Sequence, residues 1–231
     1  MPISAFSCFV YTASYFDHLT LMPQHFIPRF LLLLLGLLLL AFGVAISIRS
    51  DLGTSPISSL PYVYSFVFPL SVGTLTILMH IIMIIGQKIL LQQNFRWTRW
   101  LQLPVGIIFG CGIDAMLWLT QTWIPSTYIV KIFYCLMSCG ITAVGVCMII
   151  KANLVFLAGE GLYQAFSLRF GWEFGSCKLY GDVVLVILAV TSSLLLLHTV
   201  VGVREGTLVA AVLVGMLVKT LLPRLAFIQF K

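Results

Sequence analysis

Eight polar side chains lie within or between the long apolar runs of this chain, and their types suit ligand binding rather than covalent chemistry: Asp51, Thr54, Ser55, Ser58, His80, Asn153, Glu160 and Asp182. The first four follow an apolar run that is long enough to cross a bilayer. Irregular backbone at membrane depth persists only where protein or a water-filled cavity satisfies its polar groups. We therefore predict that this segment ends one helix, begins a half-helix and lines a polar site.

The residues around Pro56 predict how that half-helix begins. A proline costs nothing in the first turn of a helix, and Thr54 and Ser55 are natural N-caps just before it. The predicted half-helix, from Ile57 to about Phe68, would direct the positive end of its dipole at an anion or at the carboxylate of a zwitterion. The alternative is a helix-turn-helix at the outer surface that binds no ligand.

A second interruption, from 157 to 161, takes its flexibility from glycines and contains Glu160. Sliding the chain against itself by 102 residues aligns Asn153 with Asp51 and Glu160 with Ser58. An acidic residue here is either a ligand for a cation or a proton, or a solvated charge at the inner face. The sequence leaves both interpretations open.

The same offset aligns His80 with Asp182, and both fall near the middle of apolar runs. Because charge at the bilayer centre costs a few kcal/mol or more, such groups usually face a cavity or a partner. We predict a central polar pair, with Lys178 neutralising Asp182 from four residues earlier on the same helix face. For His80 alone, a neutral imidazole hydrogen-bonded in the core is the simpler interpretation.

Four further charges are predicted to be structural: Arg49, Asp114, Lys178 and Lys219. Asp114 and Lys219 each follow a stripe of small residues spaced four apart, the kind of face by which membrane helices approach closely. We therefore expect both side chains to point into the bundle. Asp114 would then reach Arg49 at the outer end of the first span, and Lys219 would snorkel to the inner surface.

The elements that must position these residues are membrane helices. Of the 231 residues, 61% are hydrophobic and 9% charged, whereas a soluble domain carries about 25% charged residues. Six apolar runs are long enough to cross a bilayer, at 29–49, 71–91, 100–121, 128–150, 174–197 and 205–223. Lys and Arg concentrate in alternate connections, which predicts a multi-pass membrane protein with both termini in the cytoplasm. The scattered cations form no basic stripe for nucleic acid.

An internal repeat accompanies the six runs. At the offset of 102, the stretch 43–87 has nine identities in 45 positions, where composition alone would give roughly four. Three spans per half is an odd number, so we predict an all-α bundle of two inverted repeats, at 29–121 and 128–223. This architecture, with broken or re-entrant segments, is common among secondary transporters. The alternative is an ancient duplication of the sequence whose only remaining role is to pack the helices.

Tails at 1–28 and 224–231 flank the two predicted repeats. Residues 1–21 contain no Lys or Arg and are either an upstream start-site extension or a poorly ordered tail. The sequence contains no nucleophile constellation, zinc motif, phosphate loop or dinucleotide fingerprint, which predicts no enzyme activity, no metal and no cofactor. The expected partners are the lipid bilayer and a small solute, and a homo-oligomer is compatible with the sequence.

The segment from Ile48 to Pro56, followed by Ser71-Val72-Gly73-Thr74, resembles the YczE/YyaS/YitT family of bacterial membrane proteins. The step from Gly110 to Asp114 is also similar, and the resemblance covers about residues 29–223. The chain departs from the family pattern at Ile57 and Ser58, where an aromatic residue and then Asp are usual. Members of the family are often labelled permeases, so the resemblance implies a membrane location and a fold more than an activity.

These observations favour one function and leave one alternative. The favoured function is an inner-membrane permease, a secondary transporter of a small polar or anionic solute. The alternative is a membrane protein that does not transport but scaffolds or regulates a partner.

Overall fold

The structure, a computed structural model, describes residues 25–225 as helices joined by short connections. The α-helices in this range are α1 Phe26–Ser50, α2 Pro56–Tyr64, α3 Val72–Leu91, α4 Gln102–Leu119, α5 Tyr128–Ala152, α6 Ala158–Phe170, α7 Phe174–Leu197 and α8 Glu205–Arg224. Six of them, all except α2 and α6, are long and apolar enough to cross a membrane. The all-α class and the six predicted spans are therefore confirmed. The predicted tails lie mostly outside the described residues.

The helices α1 and α5 end in the same way. Asp51 with φ 54° and Asn153 with φ 49° adopt the left-handed conformation, which short polar side chains tolerate. Their backbone N–H groups donate to the carbonyls of Ile48 and Ile149. Each cap turns the chain out of its helix. We call residues 51–55 the first break and residues 153–157 the second break.

The short helix α2 begins as the sequence predicts and ends earlier. Pro56 stands in its first turn and Ser55 is the N-cap. The helix stops at Tyr64 rather than near Phe68, and the N–H of Val67 then donates to the carbonyl of Tyr64 at 3.0 Å. A bond to the residue three positions back tightens the chain into a turn, which leads it towards α3.

The helices α1 and α5 pack closely at the centre because glycines let their backbones approach. A Cβ on Gly145 would lie 2.8 Å from the nitrogen of Leu40 and 2.9 Å from the oxygen of Gly36. A Cβ on Gly43 would lie 3.2 Å from the oxygen of Ser138. The contacting residue numbers rise along α1 as they fall along α5, so the two helices are antiparallel. The first and second breaks consequently lie at opposite ends of the bundle, which we call end 1 and end 2.

The first turns of α2 and α6 meet in the interior. The Cδ1 atom of Ile57 fills the space where a Cβ on Gly159 would stand, and the sulfur of Met83 lies 4.0 Å from the same point. Ala158 is fully buried in the apolar cluster around this contact. Ile57 and Gly159 are 102 residues apart in the sequence, so equivalent positions of the two halves touch each other.

The order of the helices repeats along the chain. α5, α6 and α7 each begin 102 residues after α1, α2 and α3. Packing repeats as well, since α1 contacts α4 as α5 contacts α8, and α3 contacts α6 as α2 contacts α7. The recurrence agrees with a duplicated sequence, and the inversion of one half relative to the other stays a prediction.

The two stripes of small residues have different surroundings. A Cβ on Gly110 would lie 2.6 Å from the oxygen of Gly73, because α4 packs tightly on α3. Gly215 of α8 is exposed, and no atom of another described segment lies within 4 Å of its Cβ position. The prediction that Lys219 points into the bundle is therefore wrong. α8 packs on α5 through its opposite face, and Lys219 is exposed.

Candidate functional site

The hydroxyls of the first break bond to one another and to the connection between α7 and α8. Thr54 Oγ1 lies 3.1 Å from Ser59 Oγ, and Ser55 Oγ donates to Ser58 Oγ at 3.1 Å. The N–H of Thr54 donates to the carbonyl of Gly202 at 3.0 Å. The break is therefore a closed polar turn, and a ligand at the N-terminus of α2 would have to displace these internal bonds.

Asp51 lies at the surface of end 1, where it joins the first half to the second. Lys131 Nζ is 2.6 Å from Asp51 Oδ2, and Arg204 Nη1 is 3.8 Å from the same oxygen. The Asp51 side chain is 63% exposed, and exposed ion pairs contribute about 0–1 kcal/mol to stability. The pair is therefore easily broken, and the role of Asp51 as a ligand stays a prediction.

The second break and the turn after it contain two buried oxygens without partners. Asn153 Oδ1 and Glu160 Oε2 accept no hydrogen bond from any residue between 25 and 225. A buried polar atom left unsatisfied costs about 1–3 kcal/mol, and more when it is charged. Such an atom marks a place where a proton, a water or a bound solute completes the structure. Glu160 lies in the first turn of α6, where the helix dipole favours negative charge.

Asp182 faces α6 from α7. Its Oδ1 accepts from Tyr163 Oη at 2.8 Å, and its Oδ2 accepts from Lys178 Nζ at 3.1 Å, the pair expected from their spacing of four. Lys178 also lies over the ring of Tyr163, 5.3 Å from the centroid. Lys178 and Asp182 lie close enough for their charges to act on Glu160. When all three groups are ionised, this contact of α6 with α7 holds two carboxylates and one ammonium.

His80 and Asp182 have different neighbours, although their positions are equivalent. His80 is 3% exposed and stacks on Phe109 of α4, with 5.9 Å between the ring centroids. Gly106 makes room for it, since a Cβ there would lie 2.8 Å from His80 Nδ1. That nitrogen has no hydrogen-bond partner in the described part of the chain. His80 therefore faces α4 while Asp182 faces α6, and within residues 25–225 no hydrogen bond joins them.

A buried polar cluster that the sequence analysis missed lies against the first turns of α6. Gln87 Nε2 donates to Gln102 Oε1 at 2.8 Å and to the carbonyl of Ala158 at 3.1 Å. Arg99 donates to Gln87 Oε1 and to Gln164 Oε1, each at 3.1 Å. Gln87 is fully buried, although it stands near the end of a predicted span. Amides near the ends of two spans were a signal, but their spacing does not predict that they meet.

Asp114 and Arg49 bond to different partners, contrary to the expectation that they would meet. Asp114 accepts from Ser71 Oγ at 2.6 Å and from the N–H of Gly73 at 2.8 Å. It therefore caps α3, where the helix dipole favours a carboxylate. Arg49 Nη2 donates instead to the carbonyl of Leu117 at 2.7 Å. Both residues hold the ends of helices together at end 1.

A protein-family model describes the chain along almost all of its described length. It is a family of unknown function, DUF6198, and it matches residues 27–223. The chain belongs to the DUF6198 family. A relative of this DUF6198 protein, "Uncharacterized protein YyaS" of Bacillus subtilis (strain 168), is 33% identical over 90 residues, which are 39% of this chain and 43% of the relative. The chain thus matches less than half the length of that relative. The predicted resemblance to YyaS-like proteins is confirmed, and no solved structure matches the chain.

Proposed function

We propose that this DUF6198 protein is a permease, a secondary transporter that moves a small polar solute across a bacterial inner membrane. One observation carries the proposal. The first turns of α2 and α6 meet in the interior, and the α6 turn contains a carboxylate whose buried Oε2 has no hydrogen-bond partner among residues 25–225. Short helices that begin inside the bundle and direct their ends at a shared site are the binding elements of many transporters.

The proposal includes two inverted halves and cytoplasmic termini. It is supported by the antiparallel packing of α1 on α5 and by the contact between Ile57 and Gly159, which occupy equivalent positions. An axis lying in the membrane plane would relate two such halves. The distribution of Lys and Arg supports the orientation.

The groups that face Glu160 favour a solute with a cationic group over an anionic one. When Glu160 and Asp182 are both ionised they outnumber Lys178, so an added anion would then meet a net negative charge at this contact. The hydroxyls of the first break, which suited an anion in the sequence, already bond to one another. An amine or a zwitterion at Glu160 would instead supply a donor to its unpartnered oxygen.

Thermal unfolding in detergent tests this function before a substrate is known. The purified protein is heated with a panel of amines, amino acids and carboxylates, since a ligand at 100 times its Kd stabilises the folded state by about 2.7 kcal/mol. We expect a cationic or zwitterionic solute to raise the Tm of the wild type but not of Glu160→Gln. Glu173→Gln, which changes an exposed carboxylate before α7, is the matched control and should respond as the wild type does.

A solute that passes this screen is then tested for counterflow in liposomes. The proposal fails if no solute distinguishes the wild type from Glu160→Gln, or if a solute that does so shows no counterflow. If only carboxylates raise the Tm, the protein can still be a permease, but the proposal of a cationic solute is rejected.

One observation favours the alternative function, a scaffold. The small-residue face of α8 around Gly215 is exposed, and such faces allow another membrane helix to approach closely. For a scaffold, Gly215→Leu should abolish cross-linking to a partner in native membranes. For a permease without such a partner, the same variant should keep the response to the solute.

A further inference from the structure

Two arginines occupy equivalent positions in the two halves. Arg99 precedes α4 and Arg204 precedes α8, and they are separated by 105 residues, the offset that aligns Gly110 with Gly215. Each arginine contacts the other half, Arg204 at the first break and Arg99 at the first turn of α6. Arg204 Nη1 donates to the carbonyl of Asp51 at 3.0 Å, and Arg99 Nη1 donates to the carbonyl of Gly161 at 3.5 Å.

At end 1, the connection before α8 covers the first break. Besides the Arg204 contact, the N–H of Thr54 donates to the carbonyl of Gly202 at 3.0 Å, and the N–H of Gly206 donates to the carbonyl of Leu52 at 2.8 Å. These three bonds all run between the second half and the first break. A solute could reach the start of α2 from this end only after they separate.

At end 2, the connection before α4 covers the first turns of α6 in the same way. Arg99 contacts Gly161, and it also donates to Gln164 Oε1 of α6 and to Gln87 Oε1 of α3. These bonds are accepted by a backbone carbonyl and two side-chain amides, so the contact joins the connection before α4 to both α6 and α3. Because α1 and α5 are antiparallel, this contact lies at the opposite end from Arg204.

We propose that Arg204 and Arg99 are the two gates of the permease, each closing one entrance to the site between α2 and α6. The proposal rests on the proposed function, because a gate needs a path to close. Both contacts are formed in this structure. The Arg204 side chain is 43% exposed, and a contact of this kind is weak enough to open and close as the halves rock against each other.

The contact between Ile57 and Gly159 couples the two gates. It joins the first turn of α2, next to end 1, to the first turn of α6, next to the Arg99 contact. A movement that opens the chain before α2 therefore shifts the first turn of α6, and a movement before α6 shifts the first turn of α2. Loss of one arginine should bias the equilibrium towards opening at its own end and closure at the other.

Cysteine accessibility in nanodiscs tests the gates without any solute. Single reporters, Ser55→Cys at the first break and Ala158→Cys beside the second, are placed in a background that lacks the six native cysteines. A water-soluble thiol reagent reaches both faces of a nanodisc, so the orientation in the membrane does not matter. We expect Arg204→Ala to speed labelling of the first reporter about fivefold or more and to slow that of the second.

Arg99→Ala should produce the reverse pattern, with faster labelling of Ala158→Cys and slower labelling of Ser55→Cys. Arg169→Ala, which removes an exposed arginine from the last turn of α6, is the control and should change neither rate. If an alanine variant does not elute as a folded protein, Arg204→Gln and Arg99→Gln replace it, since they remove the charge and keep more of the volume.

The reciprocal pattern is the supporting result. Equal acceleration at both reporters, acceleration at one without slowing at the other, or no change overturns the gates. The outcome is separate from that of the solute screen. If labelling is reciprocal but no solute raises the Tm, the gated movement is supported and Glu160 is rejected as the binding group. If a solute raises the Tm but labelling is unchanged, the permease is supported and these gates are rejected.

Discussion

The contact between α1 and α5 makes a quantitative prediction for Gly145→Ala. The added Cβ would lie 2.8 Å from the nitrogen of Leu40 and 2.9 Å from the oxygen of Gly36. Both atoms belong to the backbone of α1, so no side-chain rotation relieves the overlap. The helices must separate by about 0.7 Å to restore a contact of about 3.5 Å. Overpacking of this kind costs about 1–3 kcal/mol, and we expect the free energy of unfolding to fall by that amount less the gain of about 0.5–1 kcal/mol when alanine replaces a helical glycine.

Gly140→Ala is the matched control, because it makes the same change five residues earlier on the same helix. No atom of another described segment lies within 4 Å of the Cβ position of Gly140. Removing a glycine from a helix interior stabilises it by about 0.5–1 kcal/mol, so this variant should be more stable than the wild type. Gly145→Ala makes the same gain, which cancels in the comparison, so the two variants should differ by the overpacking cost of about 1–3 kcal/mol.

Both variants are measured by titration with sodium dodecyl sulfate in mixed micelles, with tryptophan fluorescence as the signal for unfolding. The interpretation of the α1–α5 contact is refuted if Gly145→Ala is as stable as Gly140→Ala. Equal stabilities would mean that any change follows from the substitution and not from its position.

Two further predictions concern hydrogen bonds between helices, and both are measured by the same titration. Asp114→Ala should cost about 1–2 kcal/mol, because it removes the carboxylate that caps α3, and a double-mutant cycle with Ser71→Ala should show a coupling of about 1 kcal/mol. A coupling near zero would contradict the cap. Gln87→Leu should cost about 1–3 kcal/mol because Gln102 and Arg99 each lose a buried partner, whereas Gln93→Leu at an exposed position should have almost no effect.

The lengths of the apolar runs predicted the spans closely. The run at 128–150 became α5, Tyr128–Ala152, and the run at 174–197 became α7 with the same bounds. Local chemistry also predicted the start of α2 at Pro56, since a proline fits the first turn of a helix. The left-handed caps at Asp51 and Asn153 were not predicted, although both residue types tolerate that conformation. These features depend on a few neighbouring residues, so the sequence alone is sufficient for them.

The direction in which each helix orients its side chains could not be predicted in the same way. Gly110 and Gly215 stand at equivalent positions, yet α4 packs on α3 through its glycine and α8 exposes its own. A helix in a membrane has no hydrophobic force that turns one apolar face inward, because lipid tails are as apolar as leucine. The direction of Lys219 was therefore mispredicted, and the missed cluster around Gln87 depends on the same kind of contact.

The sequence by itself determined that this is a helical membrane-type protein of six spans, with a duplicated order of elements and two polar interruptions. Only the tertiary structure decided that the two interruptions meet at Ile57 and Gly159 and that the hydroxyls of the first break bond to one another. It also decided that Glu160 keeps an oxygen without a partner in the described part of the chain. The physical reason is distance along the chain. Helix ends are set by residues within a turn or two, whereas the polar partners of a buried group come from helices that lie far apart in the sequence.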